Sequence, residues 1–233
     1  MPARAPRRAT LLLAVTAAAG ALLATGVAGC ALPPLSSQAT PVPGSGEVAT
    51  EDRTAAPFRH ISVGAGIKVI VGTGSEPSVM LAAQPNLLKL ITTQVRDDQL
   101  IVEVSAPGIT STEPITLTVR VPALDSITLS AGATGTIEVV GGTLAIDVSA
   151  GATIKAIGEV DALTLTASSG ASASLGEITA GSAAVTLTGG SSAEVHVTGA
   201  VTGTADGGST LTLTARPASV DVKTSSGGSV LGG

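Results

Sequence analysis

The pentapeptide "SAGAT" stands at residues 130–134 and again at residues 149–153. Aligned on its glycine, the pattern continues through Gly132, Gly151, Gly170, Gly190, Gly208 and Gly227, at spacings of 19, 19, 20, 18 and 19 residues. A fixed period of this length marks a solenoid, in which each repeat is one coil stacked on the next. Two positions after each glycine stands a hydroxyl: Thr134, Thr153, Ser172, Ser192, Thr210 and Ser229. Five positions before it stand Ile127, Ile146, Leu165, Val185, Gly203 and Val222, and five after it Ile137, Ala156, Leu175, Val195 and Leu213.

These columns predict an all-β parallel β-helix with coils of about 19 residues, each made of short strands on either side of a tight corner. Stacked coils lie ~4.8 Å apart, so equivalent residues touch and the aliphatic columns become internal ladders. Glycine at the corner supplies a positive φ angle or leaves room for the next coil. Hydroxyls beside it can bond along the stack or to backbone at the bend. A helical solenoid needs longer units and a 3.6-residue period, and a β-sandwich has no reason to hold one glycine register six times.

Outward from the repeats, "FRHISVGAGIKVIVG" (58–72) fits the same frame around Gly66, with Ile61 five residues before it and Val71 five after. Between Gly66 and Gly132 the register is lost, which predicts wider coils or a small strand-rich cap. Alternating or β-branched runs predict strands over 78–83, 100–106 and 115–122; the run 86–95 fits a short helix or a strand, and its threonines, its lack of a cap and the turn that follows it favour the strand. The carboxyl end, "SSGGSVLGG", carries no cap and points to pairing with a second copy.

Toward the amino terminus, Arg4, Arg7 and Arg8 precede an apolar run from Leu11 to Val27, the pattern of a bacterial export signal over residues 1–29. It ends in "VAGC" (27–30), which matches the lipobox of bacterial lipoproteins, with Cys30 the only cysteine of the chain. The resemblance implies cleavage before Cys30 and acylation there, so the expected partner is membrane lipid and the expected place is the cell-surface or periplasmic face of a bacterial membrane. Residues 30–56, with their prolines and no hydrophobic period, read as a tether. The remaining divisions are a β-rich amino-terminal region over 57–124 and the repeats over 125–233.

No disulfide framework is possible with one cysteine. After signal removal nine bases face seventeen acids, a net charge of about −8, which argues against nucleic acid as a partner. There is no Trp or Tyr and one Phe, Phe58, so the core must be small aliphatics.

"PFRHISVGAGIKVIV", "VPALDSITLSAGAT" and the recurring Ser-Gly-Ala-Ser-like corners resemble the auto-transporter adhesin head GIN domain family, a domain of unknown function, over about residues 57–233. That resemblance implies a right-handed parallel β-helix on an exported, often lipid-anchored protein, with no catalytic residues to transfer.

A polysaccharide-active enzyme on this fold would need carboxylates gathered on adjacent coils. Glu138, Asp147, Glu177, Glu194, Asp206 and Asp221 all fall at different offsets from their corner glycines, and Lys155 shares a column only with Glu194, two coils away. His196, between Val195 and Val197, is expected to point outward, and His60 is isolated; neither pairs for a metal. No catalytic residue, cofactor or metal site is expected. "GGTLAID" (141–147) lacks the second step of a calcium-binding repeat. The feature left over is a set of outward Thr-x-Thr pairs, Thr164 with Thr166, Thr202 with Thr204, and others at 186–188 and 210–214, a hydroxyl array suited to glycan or ice. Asp147 and Lys223 stand in the same column. The expected function is a non-enzymatic, lipid-anchored module of adhesion, glycan contact or envelope organisation; the alternative is a carbohydrate-active enzyme with a site the sequence hides.

Overall fold

The computed structural model describes residues 40–233, and Ala39–Gly233 form one compact unit. The export signal, Cys30 and the first ten residues of the expected tether lie outside the described residues. The hydrophobic cluster and the residues packed on it run from Val42 to Val230, so this unit carries its own core.

Each repeat is one coil of two strands joined by a tight turn. Ser126–Leu129 enters the first such turn and Thr134–Val140 leaves it. Within the turn Ala131 has φ 48° and Gly132 φ 73°, and the Ala133 N–H donates to the Ser130 carbonyl at 3.0 Å. Two successive positive φ angles define a type I′ turn, which reverses the chain in four residues and demands glycine or a tolerant residue at both positions. A side chain at Gly132 would meet nothing within 4 Å, so of the two reasons for glycine here the φ angle is the operative one.

The corners stack. The Gly132 N–H donates to the Ala150 carbonyl of the next coil at 3.0 Å, Gly151 to Ser169 at 3.1 Å, Gly170 to Gly189 at 3.0 Å, Gly190 to Gly207 at 2.9 Å and Gly208 to Ser226 at 3.0 Å. The aliphatic columns are ladders as expected. Ile127 pairs with Ile146, Ile146 with Leu165 and Leu165 with Val185, and all four are essentially inaccessible. On the other arm Ile137 pairs with Ala156, and Leu175 with Val195 and then Leu213. The unequal spacings have a local cause. The 20-residue unit carries an extra residue where Lys155 pairs with Ser174 but Ile157 with Glu177, and the 18-residue unit passes over 176–178.

The order of coils in space differs from their order in sequence. His60–Val63 pairs directly with Ser126–Leu129, and Lys68–Thr73 with Thr134–Val140, so the Gly66 corner donates to Ala131 at 3.0 Å across sixty-odd residues of sequence. The segment between doubles back. Gln99–Val104 runs parallel to His60–Val63 on its other side, and Thr116–Val121 to Lys68–Thr73, which makes a further coil. Ser78–Ala83 and Ile91–Arg96 then close that coil's edges as antiparallel strands, and Leu87 and Leu88 of the short helix Pro85–Leu88 are buried there. The segment thus holds one more coil and a strand-rich cover over its end.

Two expectations need correction. The strand expected over 86–95 begins only at Ile91, because Pro85, preceded by an extended Gln84, starts a helical turn. The tether expected to reach residue 56 is ordered from Val42: Val42–Pro43 pairs with Ile109–Thr110, and Ala49–Arg53 lies antiparallel to Ser78–Ala83. Thr50, Glu51 and Asp52 stay exposed while their backbone covers a sheet edge, so the segment shows no hydrophobic period. Arg53 anchors it by donating from Nη2 to the Leu88 carbonyl at 2.8 Å.

Candidate threonine face

Because side chains alternate along a strand, each arm of the stack turns every second residue outward, and the parallel register sets those residues in columns. On the arm that enters the corner, Thr128, Asp147, Thr166, Thr186, Thr204 and Lys223 are successive partners in one column. Two residues earlier on the same strands run Ser126, Ala145, Thr164, Ala184, Thr202 and Asp221. The structure therefore brings five of the threonines singled out from sequence, Thr164, Thr166, Thr186, Thr202 and Thr204, onto one patch of three neighbouring strands. Asp147 and Lys223 border this patch on either side rather than breaking it. Thr188 and the threonines of 210–214 lie elsewhere, at a corner and on the opposite arm.

The patch is rigid for a physical reason. Its strands are fixed by ladders on both sides, and the residues alternating with the threonines, Leu163, Leu165, Val185, Leu187, Val201 and Ala205, are buried beneath them. β-branched side chains keep few rotamers, so the hydroxyl lattice is nearly preset, with ~4.8 Å between coils. On the other arm the hydroxyls two places after the corner glycines also form a column, and Ser192 donates to Ser172 at 3.3 Å and Ser229 to Thr210 at 3.2 Å.

The ion pairs among the described residues stand apart from one another. Lys155 Nζ lies 2.7 Å from Glu177 Oε1, a partner that counting from corner glycines misses because the extra residue near 176 moves Glu177 into reach. Arg59 Nε lies 2.6 Å from Asp125 Oδ2, and the hydrogen bond and charge of Asp125 raise the pKa of this exposed guanidinium. His196 points outward between the buried Val195 and Val197, half-buried beside Thr179. His60 Nδ1 is 2.8 Å from Ser126 Oγ. Among the described residues no three His, Cys, Asp or Glu side chains gather as a metal site would need.

A groove of about 710 Å³, not anticipated from sequence, lies beside the Gly66 corner. Ser62, Thr92, Glu103, Ser105 and Ser130 supply polar groups to it, and among the described residues Glu103 is the one ionisable residue that lines it. Two-carboxylate hydrolysis of a glycosidic bond requires a second acid there. The groove arises where the loop after Gln99–Val104 leaves the stack, a long-range juxtaposition with no local sequence signal.

A family model described as "Putative auto-transporter adhesin, head GIN domain" matches residues 57–217. Similar solved structures include three described as putative adhesins. That from Bacteroides fragilis NCTC 9343 has a TM-score of 0.63 at 13% identity, over 82% of this chain and 99% of that one. One from Parabacteroides distasonis ATCC 8503 has a TM-score of 0.52 at 15% identity, over 82% and 99%. One from Parabacteroides merdae ATCC 43184 has a TM-score of 0.51 at 16% identity, over 83% and 99%. At such identities the likeness is one of fold. No curated protein matches the chain.

Proposed function

This chain belongs to the family described as "putative auto-transporter adhesin, head GIN domain", and on that premise we propose that it is an exported, lipid-anchored, non-enzymatic module that contacts cell-envelope glycan through the threonine face. The observation that carries the proposal is the column Thr166, Thr186, Thr204, which sets three hydroxyls facing out from consecutive strands with Thr164 and Thr202 alongside. An extended glycan offers hydroxyl and ring oxygens at a regular repeat. A preset lattice of donors and acceptors meets such a chain without the entropy cost of ordering loops. The lipid anchor at Cys30 holds the module on the outer side of a membrane, where envelope polysaccharide lies.

The test uses the unit Ala39–Gly233 on a glycan array, beside a variant carrying Thr166→Val, Thr186→Val and Thr204→Val. Valine keeps the branched shape and removes each hydroxyl, so melting should be unchanged or slightly higher. Three hydrogen bonds at about 0.5–1.5 kcal/mol each make the expected loss of glycan affinity at least about tenfold. Silence of the unmodified unit across the array, or equal binding by the valine variant, overturns the proposal.

A further inference from the structure

The two ends of the stack are unlike. At the amino-terminal end, antiparallel strands and the helix Pro85–Leu88 cover the last coil. At the other end Ser219–Thr224 pairs only with Ala200–Ala205, and Ser229–Gly232 only with Thr210–Leu213, among the described residues. Each therefore presents a free row of backbone donors and acceptors. The apolar interior also opens to water there. Val222 is half-buried, whereas Ile127, Ile146, Leu165 and Val185 in its column are sealed, and Val220 and Leu231 are 47% and 53% exposed.

We infer that this open end pairs with the open end of a second copy of the chain, about a two-fold axis, through antiparallel contact of Ser219–Thr224 with itself and of Ser229–Gly232 with itself. Charge complementarity identifies the occupant. In the edge "SVDVKT" (219–224), a two-fold axis at Val222 sets Asp221 opposite Lys223 of the second copy, and Lys223 opposite its Asp221. Opposite charges across strands stabilise pairing and like charges oppose it. Sliding the register by two residues in one direction places Asp221 against Asp221, and in the other Lys223 against Lys223, while a slide of one turns the apolar side outward. The edge thus encodes one register of self-pairing. The same axis serves both arms, since Val222 lies three residues before Ser225 and Leu231 three residues after Gly228, the ends of the last tight turn. Leu231 then meets Leu231 of the second copy, and the half-open interior at Val222 and Val230 is closed.

The chain enters the described unit at the covered end, where Val42 pairs with Ile109. End-to-end pairing therefore puts the two entry points at opposite ends of the dimer. If each is anchored through Cys30, as proposed above, the dimer joins two facing membranes, which is adhesion between like cells. The pairing itself stands independently of the anchor and of glycan binding.

Sedimentation equilibrium of the unit Ala39–Gly233 tests it, with Asp221→Lys and Lys223→Asp as single variants. Both sites are exposed, so circular dichroism and melting serve to show that each variant stays folded. The unmodified unit is expected to dimerise, each variant alone to weaken dimerisation at least about tenfold, and the two variants mixed to form a heterodimer, in which both charge pairs are restored. A monomeric unmodified unit, single variants that dimerise as well as it does, or a mixture that stays monomeric overturns the inference. Glycan binding that survives in a monomeric variant would leave the threonine face standing on its own.

Discussion

Replacing Gly203 with valine is expected to lower the melting temperature of the unit Ala39–Gly233 by about 6–12 °C, the equivalent of ~3 kcal/mol for a domain of this size. The sequence alone points the other way. Gly203 is the gap in an otherwise aliphatic column, between Val185 and Val222, and a valine would fill it. In the folded chain, however, Gly203 has φ 139°, a region open in practice to glycine alone, and a Cβ there would overlap the Val185 carbonyl oxygen of the preceding coil. Strain and overlap together outweigh the ~1.5 kcal/mol or more that burying a valine could return. Gly132→Ala is a milder control, because φ 73° is strained for alanine but the space around it is open, and about 1–2 kcal/mol is expected. Thermal melts of both variants check the order. A Gly203→Val unit that melts higher than the parent would mean that this coil is not seated on Val185 as described.

Replacing Cys30 with serine is expected to abolish membrane lipidation altogether. Cells expressing the parent chain should incorporate labelled palmitate into the mature protein, and the Cys30→Ser chain should incorporate none. It should also migrate as a larger precursor, because the lipoprotein resemblance implies that residues 1–29 are cleaved off before an acylated Cys30. Each buried methylene contributes ~0.8 kcal/mol to anchoring, so several acyl chains on Cys30 would make release immeasurably slow. Label retained after Cys30→Ser, or absent from the parent, contradicts the anchor.

The corners were legible because each coil repeats the same backbone demand. A type I′ turn needs two positive φ angles every time, and Gly132, Gly151 and Gly170 record that demand in the sequence. The ladders of Ile127, Ile146 and Leu165 were legible for the same reason, since a stacked interior must be apolar at the same place in each coil. What stayed hidden depends on backbone pairing between distant segments. Ile61 fits the repeat frame around Gly66, yet the frame says nothing of which coil lies next to it, and Ile61 turns out to sit between Ile127 and Leu100. Residues 49–53 cover an edge with their backbone and leave polar side chains outside, which in sequence resembles a tether. The threonine patch was visible as Thr-x-Thr pairs, but its borders were not. Asp147 and Lys223 look like interruptions until the coil order shows that Thr166, Thr186 and Thr204 are contiguous between them.

The stacking order is open to a direct chemical measurement, because the unit Ala39–Gly233 contains no cysteine of its own. Ser62 and Thr128 are ladder partners, while Ser62 and Thr166 are three strands apart through Thr128 and Asp147. With ~4.8 Å between strands, the first pair is within reach of a disulfide and the second, about 14 Å apart, is not. Under mild oxidation the Ser62→Cys, Thr128→Cys unit should form an intramolecular bridge nearly completely, and the Ser62→Cys, Thr166→Cys unit should not. Failure of the first pair to bridge, or equal bridging by both, would contradict a stack in which the amino-terminal coil rests directly on the first of the regular repeats.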